Sequence, residues 1–153
     1  MRYECYVIKL LKSLGVNKFY KGCEFIISSI NYINENEETF LPVTKILYVD
    51  IAKLYKTSAT CVERDIRNVI DIIWQKEENK PFLRKIFGEY NLNKRPTNME
   101  FLVLTYNYIK YYMDCIDFVK KDNYAFICPS SGNKCEYCNE FIMNAICDFY
   151  NNL

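Results

Sequence analysis

The chain has 153 residues, of which 50% are apolar and 25% charged, and its formal net charge is +1. A chain of this length can bury the core of one domain, and its 4 glycines and 4 prolines argue against a sandwich of short strands joined by tight turns. The charge is uneven: residues 1–113 hold 17 Lys and Arg against 13 Asp and Glu, whereas residues 114–153 hold 3 against 6.

Several function classes are disfavoured by what the sequence lacks. No apolar run approaches the roughly 18 residues that span a bilayer, and the first residues do not form the apolar segment of a secretory signal. We therefore expect a soluble, cytoplasmic protein without a membrane partner and with reduced cysteines. The chain has no histidine, no glycine-rich phosphate loop and no nucleophile motif, so we predict that it is not an enzyme.

Apolar residues recur at helical spacing along most of the chain and predict an all-α fold. The helices expected in residues 1–113 are Tyr3–Leu14, Cys23–Ile33, Pro42–Tyr55, a helix from about residue 59 to Gln75, Pro81–Phe87 and Asn98–Met113. Gly15 and Gly88 are expected to end helices, and residues 34–38 form an acidic loop.

Hydroxyl side chains mark two helix starts. Thr57, Ser58 or Thr60 can cap the fourth helix, and Thr60 with Glu63 fits a capping box, in which two side chains satisfy free backbone N–H groups of the first turn. Thr97 with Glu100 fits a second capping box at the start of the last of these helices.

The third and fourth predicted helices are joined by a few polar residues. The fourth carries charged residues on the face opposite its apolar stripe, which is the pattern of a helix-turn-helix. That face holds Cys61, Arg64, Asp65, Arg67 and Asn68. A solvated surface gives the same pattern, and Glu63 with Arg67 also fits a simple surface ion pair.

Several separate motifs resemble the C-terminal effector domain of stage zero sporulation protein A. Leu11–Val16 followed by Lys21-Gly22 resembles the first helix of that family and its turns, and Leu47–Lys53 resembles its scaffold helix. Val62–Trp74 resembles its recognition helix, and Lys94–Phe101 resembles its Lys-Pro-Thr-Asn-x-Glu-Phe signature. The resemblance covers about residues 7–112. It implies a helix-turn-helix bundle of about six helices in the winged-helix-like DNA-binding class.

The resemblance also implies a function in sporulation: sequence-specific regulation of transcription, with the helix of about residues 59–75 in the major groove of double-stranded DNA. Glu63, Arg64 and Arg67 match the family's base-reading set, and such arginines donate to guanine edges or phosphate. The basic residues before the Thr97 helix, and the start of that helix, suit a phosphate. The predicted DNA-binding residues are Thr60, Cys61, Glu63, Arg64, Arg67, Asn68, Lys94, Arg95 and Asn98.

Two departures from the family pattern affect specificity. Cys61 stands where the family usually has a basic residue, and Asn68 stands where it has a histidine, so we expect a target that differs from the family's TGTCGAA-like box. We also expect the chain to act without the family's receiver domain, either constitutively or through another input. The alternative function is an interaction protein, or decoy, that does not bind DNA and pairs with a full-length sporulation regulator. A homodimer, tandem binding and RNA polymerase are further partners left open.

Residues 114–153 are expected to form a Cys-rich helical extension, regulatory or dimerising, of a DNA-binding domain at residues 1–113. Cys128, Cys135, Cys138 and Cys147 are candidate zinc ligands, because a Cys-x2-Cys pair lets two thiolates bind one tetrahedral metal. A redox-sensing pair and inert buried cysteines are the other interpretations. Residues 141–149 predict a terminal amphipathic helix that packs back on the domain or pairs with a second copy.

Overall fold

The computed structural model of the chain describes residues 2–17, 19–36, 44–88 and 94–121. Contacts divide the chain into two compact units, Met1–Tyr111 and Tyr112–Leu153. The six α-helices of the described ranges are α1 (Arg2–Ser13), α2 (Lys21–Glu35), α3 (Thr44–Leu54), α4 (Ala59–Gln75), α5 (Lys80–Phe87) and α6 (Asn98–Lys121). These ranges contain no strand, and the all-α prediction is confirmed. None of their helices has the length and apolar character needed to cross a membrane.

The end of α1 follows the glycine signal in the sequence. Gly15 has a φ of +69°, its N–H donates to the Lys12 carbonyl at 3.0 Å, and the N–H of Val16 donates to the Leu11 carbonyl at 3.0 Å. This pair of bonds is a Schellman motif, which requires a left-handed residue that glycine adopts without strain. Leu11 and Val16 are both buried, as the hydrophobic contact of that motif requires.

The first turn of α2 packs directly against the backbone of α4. A Cβ atom at Gly22 would collide with the carbonyl oxygen of Asp65 and would lie 2.6 Å from Cγ2 of Val69. Both obstacles belong to the middle of α4, and Val69 itself is buried. Only a residue without a side chain allows this approach, so position 22 sets the distance between the two helices.

We expect Gly22→Ala to destabilise the protein by roughly 1–3 kcal/mol, because the added methyl group must push α2 away from α4. Urea unfolding followed by circular dichroism measures this change. Glu24→Ala is the matched control, since Glu24 is an exposed residue of the same helical turn. A Gly22→Ala variant as stable as the control would show that the helices are not held at this distance.

The turn between α3 and α4 consists of Tyr55, Lys56, Thr57 and Ser58. Lys56 has a φ of 52°, and the N–H of Thr57 donates to the Ala52 carbonyl at 2.9 Å. The chain therefore leaves α3 in a tight turn. Ser58 caps α4, because its hydroxyl accepts the N–H of Cys61 at 3.2 Å. The capping box predicted for Thr60 and Glu63 is therefore wrong. Thr60 already lies inside the first turn of α4, two residues after the N-cap position, and therefore cannot cap the helix.

The far end of α4 is fastened to the end of α1. The side-chain amide of Asn79 donates to the carbonyls of Leu14 and Ile73, both at 3.0 Å, and Nζ of Lys76 donates to the Gly15 carbonyl at 2.8 Å. Asn79 is buried, so these bonds satisfy helix-end carbonyls that would otherwise lose their water. The two helices are thus joined by polar contacts as well as by the apolar core.

Aromatic rings complete the core between α4, α5 and α6. Trp74 contacts Phe87 edge to face, with ring centroids 5.3 Å apart, and Phe87 stacks on Phe101 at 5.6 Å. Tyr106 is buried and stacks on Tyr3, while the ring of Tyr108 contacts Phe82. These aromatic side chains therefore serve packing.

The capping box predicted for Thr97 and Glu100 is present at the start of α6. Glu100 accepts the backbone N–H of Thr97 at 2.7 Å and its hydroxyl at 2.9 Å, and the Thr97 hydroxyl accepts the N–H of Glu100 at 3.2 Å. These hydrogen bonds from Thr97, and secondarily the charge of Lys94, lower the pKa of Glu100. The helix continues to Lys121, beyond the predicted end at Met113.

We expect Thr97→Ala to reduce the free energy of unfolding by about 1 kcal/mol at neutral pH, because it removes the cap. A lowered pKa in the folded state means that the contribution of Glu100 is present above its unfolded pKa of about 4.3 and is lost as pH falls further. The difference between wild type and variant in urea unfolding should therefore narrow below about pH 4. Thr97→Ser, which keeps the hydroxyl, is the control; a Ser variant as unstable as the Ala variant would contradict this role.

Candidate nucleic-acid interface

One face of α4 is buried and the other is open to solvent. The apolar stripe that anchors the helix consists of Val62, Ile66, Val69, Ile70 and Ile73, each no more than 1% exposed. On the opposite face Thr60, Arg64, Arg67 and Asn68 are exposed, and Cys61 and Glu63 are half-buried. All six residues predicted on this helix therefore share one accessible surface, which we call the recognition face.

Both arginines of the recognition face pair with acidic side chains of the same helix. Nη2 of Arg67 donates to Oε1 of Glu63 at 2.6 Å, and Nε of Arg64 donates to Oδ1 of Asp65 at 3.2 Å. The Arg67 and Glu63 side chains are 49% and 43% exposed, and ion pairs in such surroundings contribute little to stability. Each guanidinium group therefore already has a carboxylate partner. Replacing that carboxylate by another anion costs little free energy.

Two of the three residues predicted at the start of α6 contact α4. Lys94 is exposed, but Nε of Arg95 donates to Oδ1 of Asp71 at 3.1 Å. Asn98 is buried, and its side-chain amide donates to the backbone carbonyl of Glu63 at 2.8 Å. Arg95 and Asn98 thus contact α4, and Lys94 is left exposed.

Asn98 also reaches the other helix of the helix-turn-helix. Burial raises the pKa of Tyr48 in α3, and a hydrogen bond with Asn98 partly opposes that rise. The buried amide of Asn98 therefore lies near Tyr48 of α3 and donates to the Glu63 carbonyl of α4. The hydrogen bond to Glu63 fixes the start of α6 against α4, which is a positioning role within the fold.

Two contacts of α4, the ion pair of Asp71 with Arg95 and the close approach of Gly22, were not predicted from the sequence. Asp71 follows Arg67 by four residues, so it lies one turn further along the same side of α4, and this spacing was the available signal. Gly22 was noted only as part of a turn motif. Its contact with α4 depends on a helix distant in the sequence, which no local pattern records.

Cys61 lies at the start of α4 and lines a small cleft with Lys21, Thr57 and Arg64. Hydrogen bonds with Ser58 and then Thr57, with a smaller contribution from the charge of Arg64, lower the pKa of its thiol. Cys23, by contrast, is buried in α2, and burial raises the pKa of its thiol to about 11. Cys61 therefore has the greater thiolate fraction of the two at any given pH.

We expect iodoacetamide to alkylate Cys61 in the folded protein with a pH dependence shifted to lower pH than in the urea-denatured protein, because unfolding removes the bonds with Ser58 and Thr57. Cys23 should show the opposite shift. Peptide mapping by mass spectrometry reads both sites in one sample. A Cys61 profile that is the same in the folded and denatured protein would contradict the hydrogen-bonded arrangement.

Cys128, Cys135, Cys138 and Cys147 lie outside the described residues, as does the predicted helix at residues 141–149. The zinc site therefore stays a prediction. The acidic loop is described only to Asn36, and its first residues belong to the last turn of α2 and its cap.

Two helices joined by a four-residue turn, the second presenting a polar face with two arginines, define a helix-turn-helix protein of the DNA-binding class. The family model described as "Sporulation initiation factor Spo0A C terminal" matches residues 7–109, and the chain belongs to this family. The family is one of DNA-binding effector domains and not a class of enzymes. DNA-binding transcription regulation in sporulation is accordingly the class of function to which the chain belongs.

Proposed function

We propose that the protein is a sequence-specific regulator of transcription that inserts α4 into the major groove of double-stranded DNA. The observation that carries this proposal is the recognition face itself. A helix anchored by five buried apolar residues presents Thr60, Arg64, Arg67 and Asn68 together to solvent. A groove-reading helix needs this combination of a fixed axis and several polar side chains on one side.

Arg67 and Glu63 have the chemistry to read bases as a pair. An arginine donates to the O6 and N7 atoms of guanine, and a glutamate accepts from the amino group of cytosine. Because the two side chains are already within hydrogen-bonding distance, each restricts the other's conformations before DNA arrives. Arg64 and Asn68 flank them, where they contact a base edge or the backbone.

Cys61 and Thr60 occupy the first turn of α4, which enters the groove in such complexes. Cys61 offers a weakly polar thiol where a cation would supply a strong donor. We therefore expect this end of the helix to read a different base or none, and the preferred site to differ from the family's own. The specificity then depends mainly on Arg67 and Arg64.

The segment before α6 positions the protein on the phosphate backbone. Lys94 is its exposed cation and is the residue proposed to contact a phosphate. The N-terminus of α6 is already capped by the carboxylate of Glu100, so it offers an anion less than an uncapped helix start would. Arg95 and Asn98 belong to this interface through their contacts with α4. The protein is proposed to act in the cytoplasm.

We expect Arg67→Ala to weaken binding to a preferred duplex by at least about 1 kcal/mol, because it removes a bidentate base contact. The duplex is obtained by selection from a randomised pool with the wild-type protein, and affinity is measured by fluorescence anisotropy. Arg84→Ala in α5 is the matched control, since it removes an exposed arginine outside the recognition face. Circular dichroism should be the same for all three proteins.

Two results would contradict the proposal. If Arg67→Ala and Arg84→Ala bind the selected duplex equally well, the recognition face does not read bases. If the wild-type protein selects no duplex from the pool at any salt concentration, the alternative of a decoy that pairs with another regulator is favoured.

A further inference from the structure

We propose that Arg95 contributes to DNA binding through Asp71 and not through a phosphate: it neutralises an acidic side chain on the recognition helix and ties the segment before α6 to that helix. This inference rests on the proposed function. Asp71 and Arg95 are thus positioning residues of the interface.

The first argument is the charge along one side of α4. Glu63, Arg67 and Asp71 follow each other at intervals of four residues, so they lie on successive turns of the same side. Two carboxylates and one guanidinium leave this side acidic where it faces a polyanion. The Nε–Oδ1 contact of 3.1 Å brings the Arg95 guanidinium to the uncompensated carboxylate of Asp71. The side then holds two charges of each sign.

The second argument is the placement of the guanidinium. The Arg95 side chain is only 34% exposed, and its Nη1 atom is buried without a hydrogen-bond partner among the described residues. An arginine that reaches for a phosphate extends its guanidinium into solvent. Arg95 instead lies along α4, with part of its guanidinium covered by protein.

The third argument is the backbone that carries Arg95. The next residue, Pro96, is buried, and proline fixes its own φ and restricts the conformation of the residue before it. Two residues further on, the buried Asn98 is bonded to the Glu63 carbonyl. Arg95 therefore starts from a fixed position beside α4, which favours one lasting contact with Asp71 over a search for a phosphate.

A double-mutant cycle tests this role. Arg95→Gln, Asp71→Asn and the double variant are titrated with the duplex selected by the wild-type protein, over a series of salt concentrations. We expect Arg95→Gln to weaken binding about tenfold in the wild-type background, because it leaves Asp71 unpaired. In the Asp71→Asn background the same change should alter affinity by less than about twofold.

The salt dependence supplies an independent reading. A residue that contacts a phosphate contributes roughly one to the slope of log K against log salt. The slope should therefore be unchanged in Arg95→Gln. Lys80→Gln is the matched control, because it removes the same charge from an ion pair with Glu77 in which the two atoms are 2.8 Å apart, outside the proposed interface. We expect it to bind like the wild type.

Arg95→Gln could instead weaken binding equally in both backgrounds, with a salt slope smaller in magnitude by about one. This result would overturn the role and make Arg95 a phosphate contact. No loss in either background would also overturn it. Should Arg95→Gln fail to fold by circular dichroism, Arg95→Lys keeps a cation for Asp71 and is expected to bind within about threefold of wild type. A loss of tenfold or more in that variant would refute the charge argument. A wild-type protein that binds no duplex would overturn the proposed function itself.

Discussion

The contact between Gly22 and the carbonyl of Asp65 is the constraint on which the recognition face depends. A helix can present side chains to a groove only if its axis is fixed relative to the rest of the protein, because a small rotation moves every exposed side chain at once. At this point the backbone of α2 approaches the Asp65 carbonyl and the Val69 side chain of α4 directly, because position 22 has no side chain of its own that could change rotamer. The position of α4 is therefore set by main-chain geometry, and the apolar residues behind it fill the remaining space.

The two ends of α4 are held in different ways, which suits their different tasks. Near its start, Ser58 caps the helix with one hydrogen bond, and the neighbouring residues of the turn are exposed. Near its end, Asn79 and Lys76 bind carbonyls at the end of α1, and Trp74 packs into the aromatic cluster with Phe87. The exposed start is the part proposed to enter the groove, where nearby elements must leave room for two DNA strands. The contacts at its end add to the rigidity that Gly22 and Asn98 give to the first half of the helix.

Most of the fold could be predicted from local pattern, because amphipathic spacing and end signals are properties of neighbouring residues. Gly15, Gly88 and the Thr97–Glu100 box end or begin helices as expected. The choice of Ser58 over Thr60 could not be predicted, since both are good caps and the packing of α4 decides which residue is the last outside it. The pairing of Asp71 with Arg95 escaped for a related reason. Such a contact joins residues far apart in the sequence, and only the folded chain brings them together.

A net charge of +1 is compatible with a DNA-binding function when the charges on the recognition face are considered individually. Each arginine there is matched by an acid of the same helix, Arg67 by Glu63 and Arg64 by Asp65. Paired arginines are poor partners for a phosphate backbone of arbitrary sequence, because the acids repel it. The target sequence binds more favourably than a phosphate backbone alone, because its bases supply an acceptor for Arg67 and a donor for Glu63. In the proposed complex these acids weaken binding to non-specific DNA more than binding to the target, and this difference in affinity is what defines specificity.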